Sequence, residues 1–272
     1  MSTYICSDLH GQYTIFNKML KDIGFSEKDE MYILGDIIDR GPKSMRLLRQ
    51  IMEMDNVTSL IGNHEFFMWD YVVNNGFHYG YTWLGEGNGG QRTEKQFRNL
   101  SKKEQQKILD YIGDMYLQVE IEKGGETFLL SHSSFISDRG TLKWKDINRR
   151  QVEEVVWYSP WRMYECEPLS YYQEDNKTHI IGHVPIQKIL YDEYWKFNSE
   201  DEALKRANVI SPHIETKTIV KDDGRIESKN YIIDIDGGGA FRSRKLFSKA
   251  GLICMNLDKY IEGENAFSVY NK

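Results

Sequence analysis

Three short apolar runs near the start of the chain each break off at an acid or an amide, with a helix-length stretch between one and the next. Residues 3–7 stop at Asp8, residues 31–34 at Gly35-Asp36, and residues 57–61 at Gly62-Asn63. Between them, Ile15, Phe16, Met19, Leu20 and Ile23 share one helical face that closes at Gly24, and Pro42 opens a second stretch carrying Met45, Leu48, Ile51 and Met52. Asp8 and Asp36 are 28 residues apart and Asp36 and Asn63 are 27 apart, each close to the roughly 30 residues of one strand–helix–strand unit. A chain that begins this way is directed toward an α/β fold. Its side chains at the strand ends collect at the carboxyl edge of a sheet, where ligands gather.

The remainder is less regular. Phe66, Trp69 and Val73 predict a helix, a Gly- and aromatic-rich loop follows, and Ser101 with Glu104 makes a capping box for a helix through Ile112. The stretch 66–114 therefore reads as a helical insertion. Leu117, Val119 and Ile121 alternate with polar residues, Gly124-Gly125 makes a turn, and residues 127–130 return as a strand that leads to His132. A helix around residues 148–156 precedes Trp157, and residues 179–181 form a strand ending at Gly182-His183. Residues 231–235, a turn at residues 237–239 and residues 252–255 suggest a hairpin-like finish. Residues 186–229 are charged and weakly periodic, and read as a second insertion into a single domain of 272 residues. Strands interleaved with both helices and hairpins predict mixed rather than purely parallel sheets.

With a formal net charge of -6, the chain has no excess of cations with which to bind nucleic acid or an anionic membrane in general. Any phosphate must be handled by a local group of residues. Cys6, Cys166 and Cys254 are far apart and lack CxxC spacing, which argues against a disulfide framework and for a reducing compartment. No charged leader precedes an apolar run, and no stretch approaches the roughly 18 apolar residues of a membrane span, so a soluble, cytoplasmic protein is expected.

The chemistry-bearing residues lie at the ends of the apolar runs. Asp8 and His10 are two apart, which at the strand period directs both side chains from one face. Asp36 can bridge two cations, Asn63 offers a carbonyl oxygen, and His132 and His183 offer imidazole nitrogens; this donor set suits Mn, Fe or Zn. DxH alone is common and Gly-Asn is ordinary turn chemistry; GDIIDRG at residues 35–41 is more specific, and the specificity comes from the whole set in this order. The GxGxxG spelled by Gly85, Gly87 and Gly90 reads as incidental, because no β run precedes it and Glu86 would repel a pyrophosphate. His78, His179 and His213 read as loop or core histidines. Trp69, Tyr79, Tyr81 and Trp83 read mainly as core or cap.

Together DLHG, GDIIDRG, GNHE, a later histidine after a strand, and GHVP resemble the phosphoprotein phosphatase family of metallophosphoesterases, particularly its small bacterial and bacteriophage members. WLGEGNGGQRT at residues 83–93 and DIDGGGAF at residues 234–241 resemble further segments of that family. The resemblance implies a calcineurin-like sandwich of two mixed β-sheets flanked by helices, and a centre of two divalent metal ions, most readily Mn. It implies that Asp8 and His10 bind the first ion, that Asp36 bridges, and that Asn63, His132 and His183 bind the second. His64 matches the general acid, Asp39 its orienting partner, and Arg40 and Arg162 the arginines that clamp substrate phosphate, with Asn63 also facing it. Ser7, Ser131, Ser133 and Val184 depart from the usual residues without removing a ligand. The implied activity is hydrolysis of phosphoserine and phosphothreonine. The alternatives are cleavage of dinucleoside polyphosphates such as diadenosine tetraphosphate, and a non-catalytic binding protein of the same fold.

Overall fold

A computed structural model of the chain describes residues 1–161, 172, 176–195, 199–207, 211–220, 225–239 and 250–271. Eleven strands among these form two sheets. In the first, β1 (Thr3–Cys6), β2 (Glu30–Ile33) and β3 (Val57–Ser59) run parallel, and β10 (Leu252–Asn256) and β11 (Phe267–Tyr270) add antiparallel on the other side of β1, in the order β11-β10-β1-β2-β3. The second contains β4 (Tyr116–Lys123), β5 (Glu126–Ser131), β6 (Leu142–Lys143), β7 (Thr178–Ile181), β8 (His213–Val220) and β9 (Ile226–Asp234), in the order β6-β4-β5-β7-β9-β8. Strands β5, β7 and β9 are parallel there and the other pairings antiparallel. Both sheets are mixed, as the interleaved pattern predicts.

Side-chain alternation explains how the sheets pack. Ile5, Phe128, Leu130, Ile180, Ile233, Ile253 and Met255 share the core between the sheets. On the outer face of the first sheet Tyr4, Cys6, Met31 and Ile33 pack beneath α1 (Tyr13–Ile23) and α2 (Ser44–Met52), whose buried Phe16, Met19, Leu48 and Ile51 complete that layer. Leu129, Ile181 and Ile232 point from the second sheet into a third cluster. At one edge the sheets meet, because the Ile61 amide donates to the Tyr116 carbonyl at 2.8 Å. The carboxyl ends of β1, β2 and β3 thereby lie beside those of β5, β7 and β9, and the candidate residues share one rim.

Between β3 and β4 the chain is helical: α3 (Asn63–Val73), α4 (Gly80–Trp83), α5 (Gly90–Arg98) and α6 (Lys102–Asp114). The expected capping box of α6 is present, with Ser101 N donating to Glu104 and Glu104 N to Ser101 Oγ. Helix α3 begins at Asn63, earlier than the apolar pattern suggests, because Glu65 in its first turn accepts the Gly62 amide at 3.1 Å. The Gly- and aromatic-rich loop also contains α4 and α5. After α7 (Arg149–Trp157) and β7, the 186–229 stretch carries α8 (Ile186–Trp195), α9 (Glu200–Ala207) and the edge strand β8. The expected hairpin at the C-terminal end is absent among the described residues: β9 joins the second sheet and β10 the first, so that Ile233 and Ile253 meet across the core instead of pairing side by side. The last short helix is α10 (Leu257–Ile261). No helix among the described residues is long and apolar enough to cross a membrane. Cys6 and Cys254 are buried free thiols, and Cys166 lies outside the described residues.

Candidate metal centre

Six of the eight non-glycine residues with positive φ among the described residues are Asp8, His10, Asp36, Asp39, Arg40 and His183. Such a backbone conformation costs energy for residues with a Cβ and persists where the surrounding structure enforces it. Here it turns the chain sharply after β1, β2 and β7, so that the side chains gather instead of continuing in the strand direction. Amides tie the turns together: His10 N donates to Asp36 O at 2.8 Å, and His183 N donates to Asp8 Oδ2 at 3.0 Å across the two sheets. Gly62 lies so close to this turn that a Cβ there would stand 2.3 Å from Asp36 Oδ1.

Asp36 is the hub. Its Oδ2 lies 3.5 Å from His10 Nε2 and 3.7 Å from His64 Nε2, while its Oδ1 lies 3.5 Å from His132 Nε2. Donor atoms of His10, Asp36 and His64 fall within 4.8 Å of one another, as do those of Asp36, His132 and His183. Asp8 Oδ1 is 3.8 Å from His10 Nε2. All six expected ligands are therefore buried on one rim, with one carboxylate common to two groups.

The donor chemistry fits divalent cations. His132 Nδ1–H donates to the Leu34 carbonyl at 2.6 Å, which leaves Nε2 as a lone pair, and that lone pair faces Asn63 Oδ1 at 3.1 Å. Two acceptors so placed repel one another unless a cation serves both. Asp8 Oδ1 and His64 Nε2 are buried without a hydrogen-bond partner among the described residues. Burial pushes the Asp36 carboxyl well above the usual range, and the Asp8 and Glu65 charges raise it further. Burial holds His10 and His64 well below the ordinary imidazole range, and the Arg40 cation adds to this in both. Buried carboxylates that repel one another, beside neutral imidazoles, are donors that divalent cations could satisfy.

The remaining expected residues adjoin the hub. His64 Nδ1–H donates to Asp39 Oδ2 at 2.6 Å, which directs Nε2 toward Asp36. Burial raises the Asp39 carboxyl to about 7, opposed by hydrogen bonds from Thr93 and Trp83 and by Arg40. Arg40 Nη1 donates to His10 Nε2 at 2.7 Å, since His10 Nδ1–H is directed at the Ile38 carbonyl. Arg162 lies outside the described residues.

Four further residues at the site carry roles that the sequence motifs do not assign. Glu65 accepts the amides of Asp36, Ile37 and Ile38 at 2.8, 2.9 and 3.1 Å as well as that of Gly62, and so holds the whole Asp36 turn. Trp83, read as core or cap, donates its indole N–H to Asp39 Oδ2 at 2.7 Å. Asp234 and Asp236 are buried near Asp8; burial raises both carboxyls well above their usual range, Asp236 adding for Asp234 and Asp8 adding for both. Their signal was available, because two acids two residues apart at the end of an apolar strand repeat the Asp8/His10 pattern.

A family model described as calcineurin-like phosphoesterase matches residues 1–210. This chain belongs to the calcineurin-like phosphoesterase family. Two mixed sheets flanked by helices are the calcineurin-like fold, and members of the family work with divalent metal ions. The symmetrical bis(5'-nucleosyl)-tetraphosphatase of Nitrosomonas europaea is 41% identical over 70 residues, which cover 25% of this chain and 26% of that protein. The matched stretch thus spans about a quarter of that curated relative's length. Among solved structures, a Saccharomyces cerevisiae serine/threonine phosphatase with similarity to human phosphatase PP5 aligns with TM-score 0.57 at 13% identity, covering 100% of this chain and 80% of that one. A protein provisionally described as a diadenosine tetraphosphatase aligns with TM-score 0.54 at 12% identity, covering 100% of this chain and 94% of that one. At these identities the structural matches speak for the fold alone.

Proposed function

We propose that this calcineurin-like phosphoesterase hydrolyses phosphoric esters with two divalent ions, most readily Mn, held by Asp8, His10 and Asp36 on one side and by Asp36, Asn63, His132 and His183 on the other. The observation that carries this reading is Asp36, whose two oxygens face separate histidine groups at 3.5 Å. When bound, such ions make water acidic enough to attack phosphorus near neutral pH and neutralise charge on the phosphoryl oxygens. The chain's own residues supply the rest. Once protonated on both nitrogens, His64 can give the Nε2 proton to the departing oxygen, and Asp39, which accepts from Nδ1–H, orients the ring and stabilises the imidazolium this requires. His10 Nε2 has a single lone pair, so holding an ion there would release the Arg40 hydrogen bond and free the guanidinium to grip phosphate. Arg162 is proposed for the same task on sequence resemblance.

Purified protein with Mn²⁺ is expected to hydrolyse para-nitrophenyl phosphate; no turnover with any of Mn, Fe, Zn, Co or Ni defeats the proposal. Asp36→Asn should cost bound metal at both positions, and unchanged metal content by elemental analysis would mean that the bridge lies elsewhere.

Two substrate classes are compatible with this reaction. One is phosphoserine and phosphothreonine in proteins. The other, dinucleoside polyphosphates, is favoured by the activity named for the Nitrosomonas europaea relative and by a cationic cavity beside Arg40. Phosphopeptide and diadenosine tetraphosphate, compared at equal enzyme concentration, separate them: faster peptide turnover retires the second class.

A further inference from the structure

A cavity of about 500 Å³ opens directly from Arg40 and is walled by Glu86, Gly89, Gln91, Arg92 and Lys95 on α5 and the loop before it. Its position is set by backbone contact. Gly89, at φ +74, lies so close to Arg40 that a Cβ would stand 2.9 Å from the Arg40 amide nitrogen, so the glycine-rich loop rests on the arginine at the metal centre. Arg92 and Lys95 are three residues apart and share one side of α5. Among the described residues neither makes an ion pair within 4 Å, in contrast to Arg98 on the same helix, which pairs with Glu94. Three cations against the single carboxylate of Glu86 therefore line this cavity in a chain whose net charge is -6.

A phosphate monoester places one phosphoryl group at the centre and leaves such a cavity without a charge to match. A polyphosphate chain carries further anions, each a few ångströms from the last. We infer that the Arg40–Arg92–Lys95 cavity is a subsite for a phosphoryl group beyond the one attacked, and that it selects polyphosphate-bearing substrates over monoesters. This inference rests on the dinucleoside polyphosphate reading. The glycine-rich GEGNGG segment, incidental as a dinucleotide fingerprint, then brings α5 and its two cations against Arg40.

The test uses the full chain loaded with excess Mn²⁺ and two probes, orthophosphate and methylenediphosphonate, each measured by calorimetry and as an inhibitor of para-nitrophenyl phosphate hydrolysis. Replacing both cations, Arg92→Gln with Lys95→Gln, should weaken diphosphonate binding about tenfold. Orthophosphate binding and the kcat/KM for para-nitrophenyl phosphate should stay within about twofold. The charge-preserving pair Arg92→Lys with Lys95→Arg should retain most of the diphosphonate affinity, and Glu86→Gln should strengthen it. Equal losses for both probes, or no loss for diphosphonate, overturn the subsite. So does a loss confined to phosphopeptides with acidic flanks, which would make the cavity a peptide contact. Cleavage of diadenosine tetraphosphate by the unaltered chain is scored separately: its failure removes the substrate reading, whereas the subsite stands or falls on the binding ratio.

Discussion

One oxygen of Asp39 accepts from both the His64 imidazole, at 2.6 Å, and the Trp83 indole, at 2.7 Å. The imidazole is therefore oriented by a carboxylate that is itself oriented, with Ser44 Oγ accepting the Asp39 amide and hydrogen-bonded in turn to Thr93 Oγ1 at 3.1 Å. His64→Asn should lower turnover of alkyl phosphate esters by about 10² or more and that of para-nitrophenyl phosphate much less, because nitrophenolate departs without a proton. Equal losses on the two esters would contradict the acid role. Trp83→Phe keeps the buried ring and removes one hydrogen bond to a charged group, worth about 1.5–3 kcal/mol. It should reproduce the same leaving-group dependence in milder form, about tenfold on alkyl esters, and a loss independent of the leaving group would reduce Trp83 to packing. Glu65 acts by another route. It accepts four buried amides, so Glu65→Gln, which turns an NH₂ group toward amide donors, should destabilise the fold by about 3 kcal/mol in urea unfolding. Wild-type stability in that variant would mean that the Asp36 turn holds itself.

At the scale of elements, legibility follows how local the signal is. Strands β1 and β2, helix α1 and the β4–β5 hairpin could be read because apolar residues at period two or 3.6 end in glycine or a capping residue inside a short window. Helix α5 buries only Gly90, Thr93 and Phe97 and otherwise offers charge to solvent, so its sequence carries almost no apolar stripe. Strand β8 alternates half-buried and exposed positions, but lies at a sheet edge and fills the half-buried ones with residues such as Glu215 and Lys217. Strand β7 holds His179, expected as a loop or core histidine, which packs against Phe135 and edge-on to Tyr172 with ring centroids 4.2 and 5.1 Å away. Burial, with Lys177 and Lys217 nearby, lowers it to about 3. The unfolded chain takes a proton there near pH 6.5, whereas the folded chain refuses it until about pH 3. Stability is therefore unaffected above pH 6.5 and falls on acidification between those values, by up to about 1.4 kcal/mol per pH unit. His179→Phe should remove that part of the slope. Urea unfolding of both proteins at pH 7 and pH 5 measures it, and parallel pH dependences would show that His179 is not the group responsible.

For the whole molecule, what the sequence could not reveal is which sheet a strand joins. Residues 231–235 and 252–255 look like neighbours in a hairpin, yet they face each other across the core, because pairing partners are chosen by packing over the full chain. The rim itself was legible, since each ligand candidate ends a strand, but the crowd of acids on it was only half seen. Asp8, Asp36, Asp234 and Asp236 are all buried there, with Glu65 and Asp39 beside them. That concentration of like charge opposes folding unless cations offset it, so fold stability and metal occupancy are linked. Each divalent ion at a hundredfold excess over its Kd should add about 2.7 kcal/mol to the folded state, about 5.4 kcal/mol for the pair. For a chain of this length the pair corresponds to a rise in Tm of roughly 10–20 °C. Stripping metal with a chelator should lower Tm by the same amount and Mn²⁺ should restore it, while Asp36→Asn should blunt the response. If chelation leaves Tm unmoved while activity is lost, the acids are accommodated by the protein alone, and the metal contributes to the reaction without contributing to the fold.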